Sequence, residues 1–172
     1  SRAREILMYD KEGNRSAFEP QVLRTNEFPD GVPGLEGLDK KKVETANVLY
    51  KFTAEAAEKL TRLRISWSIE NPSNSIMWRT RWFERLANAK AQGHIYYARV
   101  SMQMCMHGGD RPKWSDEISN GVNLDPLRLV CDGNHVHKKW GLTKDKSTGK
   151  RVFATAIERC YPALYCRRKA AI

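Results

Sequence analysis

The chain has 172 residues, of which 41% are hydrophobic and 29% are charged. This length suits a single domain with a sizeable core, and the composition excludes collagen, mucin-like stalks and low-complexity disorder. No window approaches the roughly 18 apolar residues that a membrane span needs, so no membrane partner is expected. Thirty Lys and Arg against twenty Asp and Glu give a formal charge of +10, which favours an acidic partner, most often nucleic acid.

The amino-terminal two thirds of the chain predict alternating helices and strands. Turn signals every few residues predict an irregular segment over 1–38. Apolar spacing predicts a helix over 39–63, a strand over 65–69, a second helix over 74–90 and a strand over 94–104. The stripe of the first helix includes Leu49, Ala57 and Leu60. This order favours an α/β fold, a partial Rossmann-like sheet with crossover helices.

The remainder, 105–172, is predicted to be an irregular carboxyl-terminal part of the same domain. It holds a short strand over 113–120, and capping-box spacing at Thr155–Glu158 opens a last helix. We therefore divide the chain into the irregular segment 1–38, an α/β core over 39–104 and this carboxyl-terminal part.

The cations of the sequence are clustered rather than evenly spread. Lys and Arg hold phosphates, so clusters of them predict contacts to nucleic acid, although a solvated basic surface explains the same pattern. Three lysines in the first turn of the first helix oppose the helix dipole, and phosphate contact is one reason for their presence. The predicted nucleic-acid-binding residues are Lys40, Lys41, Lys42, Arg79, Arg111 and Lys113.

The Ser68-Ile69-Glu70-Asn71-Pro72 sequence ends a predicted strand in a polar loop. Ligands of open α/β sheets sit at the carboxyl ends of strands, and a carboxylic acid there can hydrogen-bond a ring nitrogen of a bound base. We therefore predict Glu70 and Asn71 as catalytic residues. The alternative is a turn in which both side chains cap the next helix.

Cysteines and histidines follow a spacing that suits a metal ion. They form Cys105-x-His107, Cys131-x-x-x-His135-x-His137 and Cys166. Zinc takes about four such ligands, so we predict a zinc site from Cys105, Cys131, one of His135 or His137, and Cys166. The alternative is that the cysteines are small buried hydrophobes. Four cysteines are few for a disulfide scaffold, which favours an intracellular compartment, the nucleus among them.

Several short motifs occur together in one order along the chain. They are Ser1-Arg2-Ala3-Arg4-Glu5, Leu23-Arg24, Phe28-Pro29-Asp30-Gly31, Ala46-Asn47-x-Leu49-Tyr50, Ile69-Glu70-Asn71-Pro72-x-x-Ser75-x-x-Trp78, Cys105-x-x-Gly108-Gly109-x-Arg111-x-Lys113-Trp114, Cys131-Asp132-Gly133-x-His135-x-His137-x-x-Trp140-Gly141 and Tyr161-Pro162 to Cys166. The set resembles a diverged group of proteins similar to DNA cytosine-5 methyltransferases, often encoded by viruses and mobile elements.

The resemblance implies a class I fold that uses S-adenosylmethionine. A Pro-Cys loop supplies the Cys that attacks C6 of a flipped cytosine, and a Glu holds N3. Glu70 occupies that Glu position, while Pro72 stands where these enzymes usually have Val. Lys113-Trp114-Ser115-Asp116 also departs from the Lys-x-Thr of the group.

The resemblance also implies that the nucleophile loop and the cofactor-binding strands lie in an N-terminal half that precedes Ser1. On this view the chain alone is inactive, S-adenosylmethionine belongs to the full-length protein, and that half is a partner. The expected function is thus a fragment of a nucleic-acid-modifying methyltransferase-like protein that acts on DNA. The alternatives are a non-catalytic, zinc-containing nucleic-acid-binding module from a mobile element and a structural remnant without activity.

Overall fold

The computed structural model describes residues 21–144, 149, 151–154 and 160–172. It is mixed α/β and contains a small three-stranded antiparallel sheet. The predicted mixture of helices and strands is therefore confirmed, whereas the partial Rossmann-like sheet with crossover helices stays a prediction. The described residues form two compact units: one holds 21–65 together with 75–96, and the other holds 66–74 together with the described part of 97–172. The predicted divisions at 38 and 104 stay predictions. No described helix is long and apolar enough to cross a membrane.

The first unit is built on two helices, α1 (Gly37–Arg62) and α2 (Arg81–Ala91). Small buried residues of α1, Ala54 and Ala57, allow close packing, and α2 contributes Phe83 and Leu86 to the core. The predicted stripe on α1 is confirmed in part, because Ala57 is buried and Leu60 is half-buried, whereas Leu49 is exposed. In the folded unit, α1 therefore buries its small residues Ala54 and Ala57 and leaves the larger Leu49 exposed.

A 3₁₀ turn, Ile76–Arg79, precedes α2, so the predicted helix over 74–90 is split. Thr80 has an extended backbone, with φ −69° and ψ 149°, which ends the turn and starts α2. Its hydroxyl donates to the Met77 carbonyl at 2.7 Å. The Trp78 ring meets the edge of Phe83 at 5.4 Å between centroids.

Residues 21–36 contain no helix or strand, and Arg24 attaches them to α1. Its guanidinium donates to the carbonyls of Pro29 and Val43 and to Asn47 Oδ1. Burial lowers the pKa of Arg24, against the opposing charges of Tyr50 and Asp30. These bonds compensate for the desolvation of a cation that is 7% exposed.

The second unit is built on the sheet of β1 (Ser68–Pro72), β2 (Ala98–Gln103) and β3 (Trp114–Ser119). Its strand order is β1-β3-β2, and β3 is antiparallel to both neighbours, so β1 and β2 run in the same direction. The predicted short strand at 113–120 matches β3. The strand predicted over 65–69 is shifted towards the carboxyl end, because the edge position of β1 tolerates the missing N–H of Pro72.

One face of this sheet carries the core of the unit. Val100 and Met102 of β2 pack with Leu124, Leu127 and with Tyr165 of a helix, α3 (Ala163–Ala170). Two short strands, β4 (Leu142–Lys144) and β5 (Arg151–Phe153), form a separate antiparallel pair. The predicted helix start at Thr155–Glu158 lies outside the described residues, as does the amino-terminal part of the segment 1–38.

Candidate metal centre and buried carboxylates

Four side chains of the second unit converge on one point. Cys105 lies in a 3₁₀ turn, Met104–His107, that follows β2, and the other three, Cys131, His135 and His137, lie in the irregular segment 131–140. One ligand atom from each lies within 4.8 Å of all the others, so the group could hold a metal ion.

The distances within the group are those of a compact cluster. Cys131 Sγ lies 3.8 Å from Nε2 of His135 and 3.5 Å from Nε2 of His137, and the two Nε2 atoms are 3.0 Å apart. The two rings meet edge to face at 4.6 Å. Both histidines therefore present the same nitrogen to one centre, as ligands of a shared ion do.

Local backbone geometry explains why these residues converge. Gly133 has a φ of +78°, a conformation that favours glycine, and in this turn its N–H donates to Cys131 Sγ at 3.4 Å. Successive side chains of an extended segment point to opposite sides. His135 and His137 therefore share one side, and Val136 between them is 98% exposed.

Groups behind the ligands orient them. Nδ1 of His135, the nitrogen away from the cluster, lies 3.8 Å from Asp132 Oδ1, and carboxylates in this position commonly orient metal-binding histidines. The Cys131 N–H donates to Gln103 Oε1 at 2.7 Å, which fixes the segment beside β2. Burial, with the neighbouring Cys131 thiol, raises the pKa of Cys105 to about 11. A bound cation would oppose that rise by stabilising the thiolate.

The structure leaves Cys166 out of the group, which differs from the predicted ligand set. Cys166 is exposed on α3, and both histidines take part where one was expected. His107 also lies outside the group. It is fully buried, with Nε2 3.0 Å from the Leu127 carbonyl and Nδ1 3.3 Å from Arg168. Burial lowers the pKa of His107, which favours the neutral ring. This ring joins the Met104–His107 turn to Leu127 and to Arg168 of α3.

A second cluster lies on the sheet face that α3 covers. Glu70 of β1 is the direct cross-strand partner of Glu117 of β3, so both carboxylates share one face. The Tyr161 hydroxyl donates to Glu70 Oε2. Glu70 Oε1 is buried and has no hydrogen-bond partner in the described structure.

Two side chains of α3 contact Glu117. Its Oε2 accepts from the Tyr165 hydroxyl at 2.8 Å, and its Oε1 forms an ion pair with Lys169. The rings of Tyr161 and Tyr165 stack at 5.2 Å. Burial, together with the charge of Glu70, raises the pKa values of both tyrosines, and burial lowers that of Lys169.

Sequence reasoning did not assign Glu117, Tyr165 or Lys169 to this cluster. The four-residue spacing of Tyr165 and Lys169 is the signal that places these two side chains on one face of α3, whereas Tyr161 precedes the helix. Which carboxylates face this helix depends on the register that pairs Glu70 with Glu117, and the spacing of residues along the helix does not predict that register.

Hydrogen bonds to β3 fix Ser73, the residue that follows β1. The Ser73 N–H donates to the Trp114 carbonyl at 3.1 Å, and its hydroxyl donates to Asp116 Oδ1 at 2.6 Å. Burial alone would raise the pKa of Asp116, but hydrogen bonds from Arg99 and Ser73 outweigh it and hold the pKa below its usual value. Asn71 stands opposite Asp116 in the register, so the predicted catalytic pair Glu70 and Asn71 lies within β1 and not in the polar loop that was expected after the strand.

The predicted nucleic-acid contacts differ in exposure. Lys40, Lys41 and Lys42 are exposed at the start of α1, and Arg79 is exposed before α2. Lys113 is half-buried, whereas Arg111 is only 4% exposed. The Arg111 guanidinium is instead enclosed, with Nε donating to the Lys139 carbonyl at 3.0 Å.

Comparison with family models, with curated proteins and with solved structures finds no similar protein.

Proposed function

We propose that the chain is a zinc-stabilised part of a nucleic-acid-modifying, S-adenosylmethionine-dependent methyltransferase-like protein in which Glu70 holds the target base. The observation that carries this proposal is the state of the Glu70 carboxylate. Tyr161 occupies Oε2, while Oε1 is buried and accepts no hydrogen bond from the residues that the structure describes. Leaving a buried acceptor unpaired costs about 1–3 kcal/mol, so a ligand that donates to Oε1 has a free-energy advantage.

A pyrimidine base carries donors of the required kind. An exocyclic amino group, or a ring nitrogen that has gained a proton, donates to a carboxylate oxygen. Tyr161 fixes one oxygen of Glu70 and leaves the other as the acceptor, and the hydrogen bonds of Ser73 to β3 hold the end of β1 in place. The role proposed for Glu70 is to hold and orient the base.

The arrangement of the strands supports a Rossmann-like origin. β1 and β2 run in the same direction, and the chain between them passes through α2, as in a βαβ connection. β3 lies between these two strands and runs antiparallel to both, so the described sheet has no directly paired parallel strands and the Rossmann-like sheet is part of the proposal. We propose that an N-terminal half of the same protein supplies the remaining strands, the Pro-Cys nucleophile loop and the S-adenosylmethionine site. S-adenosylmethionine bound there would supply the methyl group.

Zinc is the ion that best fits the donor set of Cys105, Cys131, His135 and His137. Zinc bonds of about 2.0–2.3 Å in a tetrahedron place ligand atoms roughly 3.3–3.8 Å apart. The sulfur–nitrogen distances of 3.5 and 3.8 Å fall within that range, whereas the two Nε2 atoms, 3.0 Å apart, would have to separate by a few tenths of an ångström to bind one ion. Four protein ligands leave no open position, so the proposed ion is structural and takes no part in chemistry. We propose an intracellular location, the nucleus among the compartments, because reducing compartments keep thiols free to bind a metal ion.

The exposed cations support nucleic acid as the partner. Lys40, Lys41 and Lys42 are exposed on α1, and the chain carries a formal charge of +10. Neutralising phosphates releases counterions. We expect the logarithm of the DNA affinity to fall with the logarithm of the salt concentration, with a slope of roughly several units.

The test is Glu70→Gln in a complete polypeptide that contains this chain and the region encoded upstream of it. Because Gln keeps the shape but loses the charge that holds the base, methyl transfer to DNA should fall by roughly 100-fold or more. DNA affinity should change by less than about twofold, since phosphate contacts dominate it. The measurements are transfer of a labelled methyl group and fluorescence anisotropy.

Glu44→Gln is the matched control, because Glu44 undergoes the same chemical change on the exposed surface of α1. Equal methyl transfer by the Glu70 and Glu44 variants would reject the role of Glu70. An upstream region without a Pro-Cys loop would reject the methyltransferase assignment itself.

The metal centre supports a second candidate function, a non-catalytic zinc-containing nucleic-acid-binding module from a mobile element. A closed group of four ligands is typical of structural zinc in binding modules. Under this alternative, salt-sensitive DNA binding persists, no methyl transfer is found in the complete polypeptide, and Glu70→Gln changes neither property.

A further inference from the structure

Two loops of the second unit are joined both by the candidate metal ligands and by direct hydrogen bonds and an ion pair. We name these loops the metal loop pair, residues 105–114 and 131–140. The ligand Cys105 comes from the first loop and the other three ligands come from the second. Beyond the ligands, the Lys138 N–H donates to the Asp110 carbonyl at 2.9 Å, and the Lys138 ammonium pairs with the Asp110 carboxylate.

Arg111 of the first loop also contacts Lys139 and Trp140 of the second loop. Its Nε donates to the Lys139 carbonyl, and its guanidinium carbon lies 5.5 Å from the centre of the Trp140 ring. Arg111 is 4% exposed, whereas Trp140 is 43% exposed. The buried cation thus supports an indole that still reaches solvent, and neighbouring Lys139 is exposed.

We infer that the metal loop pair is a binding surface for single-stranded nucleic acid, with Trp140 stacking on an unpaired base and Lys139 contacting the adjacent phosphate. This inference deepens the proposed function and rests on its nucleic-acid partner. Bases stack on exposed aromatic rings only when their faces are free, which excludes paired bases inside a duplex. The segment 131–140 has no helix or strand, so an ion bound by Cys131, His135 and His137 would fix the part of the chain that leads to the indole.

The direct test measures the binding of the 172-residue chain to a labelled single-stranded oligothymidylate and to a duplex of equal length. Trp140→Ala should weaken binding to the single strand by about tenfold or more. It should leave the salt dependence unchanged, because the indole carries no charge. Lys139→Ala should reduce the salt slope by roughly one unit. Removing zinc with a chelator should weaken binding to the single strand at least as much as Trp140→Ala does.

Two exposed residues of the other unit serve as matched controls. Tyr96→Ala removes an aromatic ring that is 68% exposed, and Lys51→Ala removes an exposed lysine of α1. Both controls should bind the single strand as the unchanged chain does. Unchanged metal content in the Trp140 variant shows that its centre is intact, and Lys139→Ala carries the test if that content is lost.

The outcomes separate this inference from the proposed function. Salt-sensitive binding that is equal in the Trp140 and Tyr96 variants overturns the inference and leaves the nucleic-acid partner standing. Tighter binding to the duplex than to the single strand does the same. Absence of salt-sensitive binding to either oligonucleotide overturns both.

Discussion

Chelation of the metal ion is expected to lower the melting temperature of the chain by about 10 °C or more. Structural zinc contributes roughly 10–16 kcal/mol to small zinc peptides, and even a few kcal/mol shifts a chain of this size by about 2–4 °C for each kcal/mol. The segment 131–140 is mostly exposed and lacks regular structure, so few apolar contacts replace the lost ligand bonds.

Calorimetry with and without a chelator measures this shift, and amide hydrogen exchange locates it. Exchange should accelerate first in residues 131–140 and in the turn that holds Cys105. Cys131→Ser should reproduce the effect of the chelator, while Cys160→Ser should not, since Cys160 is exposed and lies outside the group. An unchanged melting temperature with unchanged exchange would reject the metal centre.

Lys169→Met is expected to lower the free energy of unfolding by about 3–5 kcal/mol. The substitution keeps the unbranched side chain but removes the cation that pairs with Glu117, a residue that is 1% exposed. An uncompensated buried carboxylate is strongly destabilising. The Tyr165 hydroxyl still donates to Glu117, but a neutral donor does not replace the lost charge.

Urea unfolding measures this loss, and Arg167→Met is the matched control because Arg167 is exposed on the same helix. Combining Lys169→Met with Glu117→Gln removes both charges and should recover part of the lost stability. Equal stability of the Lys169 and Arg167 variants would show that the ion pair contributes nothing.

Local patterns predicted elements better than their packing. The apolar spacing of α1 and the residue types of β3 depend on neighbours in the sequence, so the sequence predicts both elements to within a few residues. The face that α1 buries depends instead on α2, which accepts Ala54 and Ala57 more closely than Leu49. The antiparallel direction of β3 is likewise a property of the sheet that no single segment contains.

The two sites divide in the same way. Cys131, His135 and His137 are close in the sequence, so their spacing predicts a shared ligand group without knowledge of the fold. Cys105 and Cys166 could not be distinguished by spacing, because both join this segment only through the fold. Glu70 was predicted from its position at a strand end. Glu117 stands opposite it only through the strand register, and Lys169 reaches Glu117 only through the placement of α3.

The metal content of the purified chain tests the central claim most directly. We expect one zinc ion per chain in the unchanged protein and in the Cys166→Ser variant, and no bound zinc in the Cys131→Ser variant. Cobalt in place of zinc should show the absorption of a tetrahedral site with sulfur ligands, because two thiolates and two imidazoles surround the ion. A chain that binds no metal, or one that loses its metal with Cys166→Ser but not with Cys131→Ser, would contradict the ligand group.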